Sequence, residues 1–563
     1  SGSNEFEGGF FYDYTDDSMT GDSLEGDDIA RGEFDEKRFG FNLGGALIKD
    51  KLFFFASYEK LEGSDLFDRG TAGSNAAVPV EGLSQAQYDE ILDISRNIYG
   101  YEPGDLITSL PVEDEKIMAK LDWIINDQHR AALVYNFNDG NTIRESDGDS
   151  NEFEFSNHYY DQFAEFESYV GSLYSDWTDN FSTEVRVGMA EFEQNVTPLA
   201  GTEFGEVQIR TENEDSRATV YLGADDSRHA NKLTYDTDTF KIAGTYLIGD
   251  HIITGGYEYE ALDVFNLFVQ HTEGEFRFDS IEDFRNGMAA RVYYYNSTGT
   301  NDPVDSAAEF GYEIHTVYLQ DEYFSYDHDL TVTFGLRYDW YTSDDLPQEN
   351  PEIESLYGFS NKQNLDGEGL IQPRLGINWQ LDEDIEVRGG IGLYSGGNPN
   401  VWLGNNYQNN GVVQTQTQER GVDLFNTPHT GDGRPVWNVP QGQFDDVANG
   451  NGAAGGINIL DPDFEVPSEW KYAIGATVYL DNDYVFMADF LYTDVKDAAI
   501  ISDVTREQTG ETAPDGRPIY GSSNGRSQDF MLTNVKGDSG YRKSFSMALS
   551  KTHDWGLDWT LAY

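Results

Sequence analysis

The feature that most limits what this chain can fold into is a strict alternation of apolar and polar residues, repeated in segment after segment. A period of two is the pattern of a β-strand whose two faces meet different surroundings. From Leu330 to Tyr341 one face takes Leu330, Val332, Phe334, Leu336, Tyr338 and Trp340, and the other takes Thr331, Thr333, Gly335, Arg337, Asp339 and Tyr341. Phe181 to Ala190 sets Phe181, Val185, Val187 and Met189 against Ser182, Glu184, Arg186, Gly188 and Ala190. Ile385 to Tyr394 repeats the arrangement, with Ile385, Val387, Ile391 and Leu393 opposite Glu386, Arg388, Gly392 and Tyr394.

Very short polar turns join these segments in pairs, at Lys49-Asp50-Lys51, Asn126-Asp127-Gln128, Thr178-Asp179-Asn180, Gly249-Asp250-His251, Asp327-His328-Asp329, Asp382-Glu383-Asp384 and Asp481-Asn482-Asp483. Each pair reads as a hairpin. Long segments rich in Asp, Gly and Asn separate the pairs. A soluble sandwich or propeller has no reason to keep short turns at one end and long loops at the other. An outer-membrane barrel does, with its turns on the periplasmic side and its loops outside. The expected fold is therefore all-β, a transmembrane antiparallel β-barrel of about 17 strands forming one domain over residues 1–563. An odd count that stops inside a strand reads as an incomplete barrel, and the start, Ser1-Gly2-Ser3-Asn4, has no signal peptide.

Composition agrees once the strands are seen. No apolar run approaches the roughly 20 residues of a spanning helix, Leu52 to Ala56 being typical, and barrel strands are not subject to that requirement. The chain carries 102 Asp plus Glu against 36 Lys plus Arg, a formal charge of -66, which repels phosphate backbones and argues against a nucleic-acid partner. Such acidity suits disorder, but 14% aromatic residues do not. The absence of cysteine removes disulfides, thiolate metal sites and cysteine nucleophiles, and leaves the redox compartment open. Roughly two thirds of the negative charge falls in the long loops, and the remainder fits a polar, water-filled lumen.

Two further patterns belong to the same picture. Trp123, Trp177 and Trp379 each precede a short turn by one to three residues and Trp555 lies beside another, as a girdle at the lipid interface would. Two loops read as helical. Ser84 and Gln87 form a capping box ahead of Tyr88, Ile91, Leu92 and Ile98, with Gly100 as the stop; Ser280 to Ala290 starts similarly, with Asp283 at the third position and Ile281, Phe284 and Met288 on one stripe. The loops are expected to be folded caps.

Candidate metal ligands lie in the loops. Asp147, Asp149 and Asn151 place oxygen donors at alternate positions, like the first half of an EF-hand, but Glu152 stands where Gly is needed and His158 where a bidentate Glu is needed. An irregular Ca²⁺ site is the remaining reading, weighed against a solvated acidic loop. Asp16, Asp17, Asp22, Glu25, Asp27 and Asp28 form a denser cluster, with Asp22, Asp27 and Asp28 the candidate Ca²⁺ ligands. No catalytic residue is assigned. Gly521 to Gly525 fits G-x-S-x-G and Gly537 to Gly540 has the trypsin-like G-D-S-G spelling, but each stands without a matching context. His129, His251, His328 and His553 sit at separate short turns, and no H-E-x-x-H spacing occurs. Trp402 and the amide-rich run Asn405 to Asn410 could stack on and hydrogen-bond to a glycan or peptide, although a polar packed loop explains them as well.

Several stretches resemble the TonB-dependent outer-membrane receptors, and within them the Oar-like branch. Ser1 to Gly8 resembles the segment that enters the first barrel strand after the plug. Phe39 to Glu59, FGFNLGGALIKDKLFFFASYE, is similar to the second and third strands with their turn. Tyr318 to Tyr341, Pro373 to Gly397 and Pro467 to Asp497 extend the likeness. The resemblance implies a barrel of about 22 strands filled by an N-terminal plug, a Gram-negative outer-membrane location, lipid contact, and coupling to the TonB complex through N-terminal parts outside this sequence. A surface lipoprotein or another outer-membrane protein is a further expected partner. Uptake of a solute is the first function implied. A scaffold, adhesion or protein-export barrel is the alternative, and a soluble acidic propeller enzyme is the third class.

Overall fold

The computed structural model describes residues 2–21, 23–24, 26–28, 33–66, 69–107, 109–454, 456–526 and 528–563. Seventeen strands form one large sheet. They are β1 (Glu7–Asp16), β2 (Asp35–Ile48), β3 (Leu52–Leu66), β4 (Ser109–Asn126), β5 (His129–Arg144), β6 (Tyr160–Thr178), β7 (Phe181–Pro198), β8 (Ala230–Ile248) and β9 (His251–Val269). The series continues with β10 (Ala308–Ser325), β11 (Leu330–Thr342), β12 (Gly369–Gln380), β13 (Ile385–Ser395), β14 (Ser468–Leu480), β15 (Tyr484–Lys496), β16 (Tyr541–Thr552) and β17 (Asp558–Ala562). Each is hydrogen-bonded antiparallel to the next in sequence. All seven short turns read from the sequence join hairpins. Asp50, Gly249, Asp329 and Asn482 adopt positive φ there, which Gly, Asn and Asp tolerate best.

Register lays the apolar positions of neighbouring strands side by side. Leu336 faces Leu319 on one side and Pro373 on the other, Tyr338 faces Val317 and Ile371, and Phe334 faces Leu375. Apart from the half-buried Pro373 these side chains are exposed, Phe334 at 57% and Leu319 at 60%. The opposite face, with Gly335 and Asp339 buried, is polar and lies under the loops. An exposed apolar band backed by a polar interior is the reverse of a soluble sheet, and it is the arrangement lipid demands. Trp123, Trp177, Trp379 and Trp555 are all exposed at the short-turn end. Among the described residues no helix is long and apolar enough to cross a membrane, so spanning belongs to the strands.

The hydrophobic core lies in the loops. The largest fully buried side chains include Phe153, Phe155, Phe276, Phe284, Ile91 and Ile209, and none of them belongs to the large sheet. Residues 145–159, 199–229, 270–307 and 396–467 contribute strands to a six-stranded mixed sheet, ordered 152–154, 216–222, 206–213, 275–278, 288–297 and 414–423. One face of this cap sheet packs on α1 (Gln85–Ile94) through Ile91, Ile94, Val207, Val220 and Phe276.

Ser84 closes the expected capping box with Gln87. After α1, Ser95–Tyr99 winds as a π-turn, which rotates the face so that Tyr99 is buried and Ile98, expected on the apolar stripe, is exposed. The second helix, α2 (Ile281–Asn286), is shorter than expected. Gly287 stops it in the left-handed conformation at φ 67°, and Met288 begins a strand instead. Three more helices stand among the described residues: α3 (Pro351–Tyr357), whose Asn350 cap, Pro351 and Gly358 stop are local signals that apolar periodicity does not show, and α4 (Asn400–Gln408) and α5 (Gln441–Ala448), which have no side-chain cap.

Candidate functional site

Period two places Glu184, Arg186, Lys241, Glu258, Arg337 and Asp339 on the inner face of β7 to β11, three cations among carboxylates. Lys241 Nζ is 3.0 Å from Glu184, and Arg186 reaches the same carboxylate at 2.8 Å. Arg337 donates to Glu258 at 2.8 Å, to Asp339 at 2.8 Å and to the Thr316 hydroxyl at 2.9 Å, while Thr316 and Gln372 donate to Asp339. Farther round the wall, Arg388 grips both oxygens of Asp489. Cavities of about 540, 260 and 440 Å³ follow one another along this wall and share Lys241, Tyr318, Glu258 and Arg337 in their linings. The result is a trough of fixed charges and hydrogen-bonding groups along the inner strand wall, from the short turn at Asp127 to Asn398 at the loop end.

At the loop end α4 lies over the inner ends of β8 to β10. Tyr407 stacks on Phe310 with ring centroids 5.1 Å apart, and Tyr312 donates to Asn400 Oδ1 at 2.9 Å. A cavity of about 480 Å³ opens beneath, lined by Tyr235, Phe268, Phe310, Asn266, Val401 and Asn405. Aromatic and aliphatic walls with a few amides, in a volume within the usual ligand range, suit a largely neutral ring-bearing or peptide-like guest.

The second face of the cap sheet is polar. Strand 206–213 turns Val207 and Ile209 into the core and Glu206 to this side; strand 275–278 turns Phe276 and Phe278 inward and Glu275 to this side. Asp225, His158 and His271, buried, and Asp226 and Asp147, half-buried, complete an ionisable cluster. Three overlapping groups, Asp147–His158–Glu206, Glu206–Asp225–Asp226 and Asp226–His271–Glu275, each hold their donor atoms within 4.8 Å of one another. Burial and the neighbouring Asp226 push Glu206 well above the usual carboxylate range. Burial raises Asp225 to about 6. For His158, burial alone lowers the imidazole, but Asp147, Glu154, Glu206 and Asp225 outweigh it and raise the group to about 10. His271 rises to about 9 because Asp226 and Glu275 overcome the same burial. His229 goes the other way, lowered by burial to about 4.

The chain matches the family described as outer membrane beta barrel domain over residues 1–99 and 106–563. It belongs to that family. This outer-membrane barrel of Gram-negative bacteria has the fold of TonB-dependent receptors. The outer membrane transporter YddB from Escherichia coli superposes with a TM-score of 0.57 at 11% identity, over 98% of this chain and 57% of that one. The siderophore receptor PirA from Acinetobacter baumannii gives 0.53 at 14%, over 98% and 61%. A point mutant of the ferric enterobactin receptor PfeA from Pseudomonas aeruginosa gives 0.53 at 13%, over 99% and 61%. At these identities the likeness is one of fold, and the chain spans about three fifths of the length of those structures. Among curated proteins, none matches the chain in sequence.

Within this barrel the residues singled out by sequence are dispersed. Asp147 joins His158, whose Nε2 lies 3.0 Å from Asp147 Oδ2. Asp149 and Asn151 stay on the exposed loop tip, where Asp149 Oδ1 accepts from Ser150 N and the Asn151 carbonyl from Thr219 N. Asp27 and Asp28 form a two-residue strand with Ser23–Leu24, and Asp22 lies outside the described residues. Of the amide run, Asn405 lines the mouth cavity, whereas Asn406, Gln408 and Asn410 are buried, and the side chains of Gln408 and Asn410 hydrogen-bond to the backbone around them. Asn410 Oδ1, for example, accepts from Val412 N and Val413 N. The histidines that matter, His158, His229 and His271, carried no signal because their partners come from other loops. Ser523 of the G-x-S-x-G match follows an exposed hairpin and donates its backbone N–H to Thr505 O.

Proposed function

We propose that this barrel is a TonB-dependent transporter of the Oar-like branch, which takes a solute from the mouth cavity under α4 into the charged trough along its inner wall. The trough supports the reading most directly. A wall of paired charges such as Arg337 with Glu258 and Asp339 solvates a passing polar solute without presenting one bare sign. The descriptions of YddB as a transporter and of PirA and PfeA as receptors point the same way. Energy would come from the TonB complex of the inner membrane, acting on an N-terminal plug, and no covalent step is involved. Aromatic and amide groups at the mouth favour a neutral glycan-, peptide- or chelate-like solute over a free polyanion.

The test is the solute depleted from the medium by wild-type cells but not by a deletion strain, identified by mass spectrometry of spent medium. Gly404→Trp, which fills the space beside Phe310 and Asn266, is expected to abolish depletion while the barrel still assembles, and dissipating the proton-motive force is expected to do the same. Unchanged depletion under both treatments would sink the reading.

The cap, with a core of its own, favours a second reading: a scaffold, adhesion or export barrel whose partner, such as a surface lipoprotein, docks on the loops. Co-purification of such a partner with no solute depletion would select it.

A further inference from the structure

Asp226 and the pair His271 and Glu275 belong to different long loops, 199–229 and 270–307, and meet on the buried polar face of the cap sheet. His271 Nδ1 is 2.7 Å from Asp226 Oδ2 and 3.1 Å from Glu275 Oε2. Neither contact has the angle of a hydrogen bond, so Nδ1 and Oε2 are left without hydrogen-bond partners although His271 is 7% and Glu275 0% exposed. A shared proton would lie between such atoms along an N–H···O line. Donor lone pairs that converge at about 3 Å without that line have the spacing of neighbouring ligands around a metal with bonds of about 2.0–2.1 Å.

The surroundings hold each donor in place. Asp226 Oδ1 accepts from Ser227 Oγ at 2.9 Å, and Glu275 Oε1 accepts from Arg277. Tyr293 stacks on the His271 ring and Tyr295 meets it edge-on. The His271 backbone N–H donates to the Asp226 carbonyl, and the residue sits at φ 56°. Orientation of metal donors by such outer contacts is usual. The cluster also has a surplus of carboxylates. Glu206, Asp225, Asp226, Asp147 and Glu275 stand around two histidines and Arg277, which leaves room for positive charge.

We propose that Asp226, His271 and Glu275 bind a divalent transition-metal ion, of the zinc, cobalt or manganese kind, that staples the two loops together. One imidazole nitrogen with two carboxylate oxygens selects this class over Ca²⁺, which takes oxygen donors alone. The site is independent of the transport reading, and the failure of either leaves the other standing.

The experiment uses the receptor purified from outer membranes in detergent, stripped with chelator, and titrated with Co²⁺ and with Zn²⁺ in the presence of excess Ca²⁺ and Mg²⁺. One equivalent per chain is expected, with a visible Co²⁺ band characteristic of nitrogen and oxygen ligation. His271→Asn, chosen because Asn tolerates the left-handed backbone, and Glu275→Gln are each expected to weaken binding at least about 100-fold, the upper end of what loss of a mere outer-shell partner costs. Asp147→Asn, in the neighbouring group, is expected to leave it in place. Absence of saturable binding in the wild type would overturn the proposal whether or not any variant folds. Binding that survives both His271→Asn and Glu275→Gln, or that is lost with Asp147→Asn instead, would overturn it as well.

Discussion

Glu206 and Glu275 face each other across a parallel strand pair, on the same side of the cap sheet, at 2% and 0% exposure. Like charges opposed in a sheet are unfavourable, and two enclosed carboxylates more so. The fold answers with donors: Gln208 and the Asp226 backbone N–H on Glu206, Arg277 on Glu275. Arg277→Ala removes the guanidinium that donates to Glu275 Oε1 and, because that side chain is 40% exposed, is expected to cost about 1–3 kcal/mol in cap stability. Adding Glu275→Gln to that variant should recover most of the loss. Thermal unfolding followed by amide exchange in residues 275–278 checks both.

The two faces of β11 make opposite predictions. Leu336→Arg puts a cation at mid-strand on the apolar exterior and is expected to cost about 2–4 kcal/mol of barrel stability. Thr333→Arg, on the inner face, should stay within about 1 kcal/mol. Folding into lipid vesicles under urea, read by heat-modifiable migration, separates the two; equal costs would contradict the face assignment.

The α1 cap is a local test. Ser84→Ala removes an acceptor for Gln87 N and is expected to cost about 1 kcal/mol. Because Arg96 lies just beyond α1, trypsin cleavage there should rise about fivefold under conditions where opening is fast.

His229 gives a pH dependence. Its Nε2 donates to Ala224 O and its Nδ1 accepts from Glu273 N, an arrangement only the neutral ring can make. Asp226, His271 and His158 are the charged groups near it, and burial lowers it from 6.5 to about 4. An imidazole depressed in the fold contributes stability in full above its unfolded value and loses it as pH falls through the folded one. The cap is therefore expected to loosen between about pH 6.5 and 4. Amide exchange at residues 225–231 should accelerate over that window in the wild type, and the His229 share of the change should vanish in His229→Gln.

The barrel was readable in the residues for a plain reason. A strand between lipid and water must alternate, and residues such as Phe334, Leu336 and Tyr338 declare their face by their own chemistry. The turns were readable because Asp50, Gly249 and Asn482 suit positive φ. Even the α1 capping box was local. The slips came where local pattern met tertiary packing. Ile98 kept the helical spacing, but the π-turn at 95–99 rotated it to solvent. Asp149 and Asn151 kept the donor spacing of Asp147, yet only Asp147 folds in toward His158.

By itself, then, the sequence determined a lipid-facing barrel with short turns at one end and long acidic loops at the other, since each strand's faces are set by contact with solvent or lipid. Only the tertiary structure decided that those loops hold the core and that Glu206, Asp226, His271 and Glu275 share one buried face. Those four residues lie on three separated stretches of chain, and a cap sheet with both parallel and antiparallel pairs brings them together. Proximity of that kind leaves no period in the sequence, because it depends on which strands become neighbours and not on the residues beside each position.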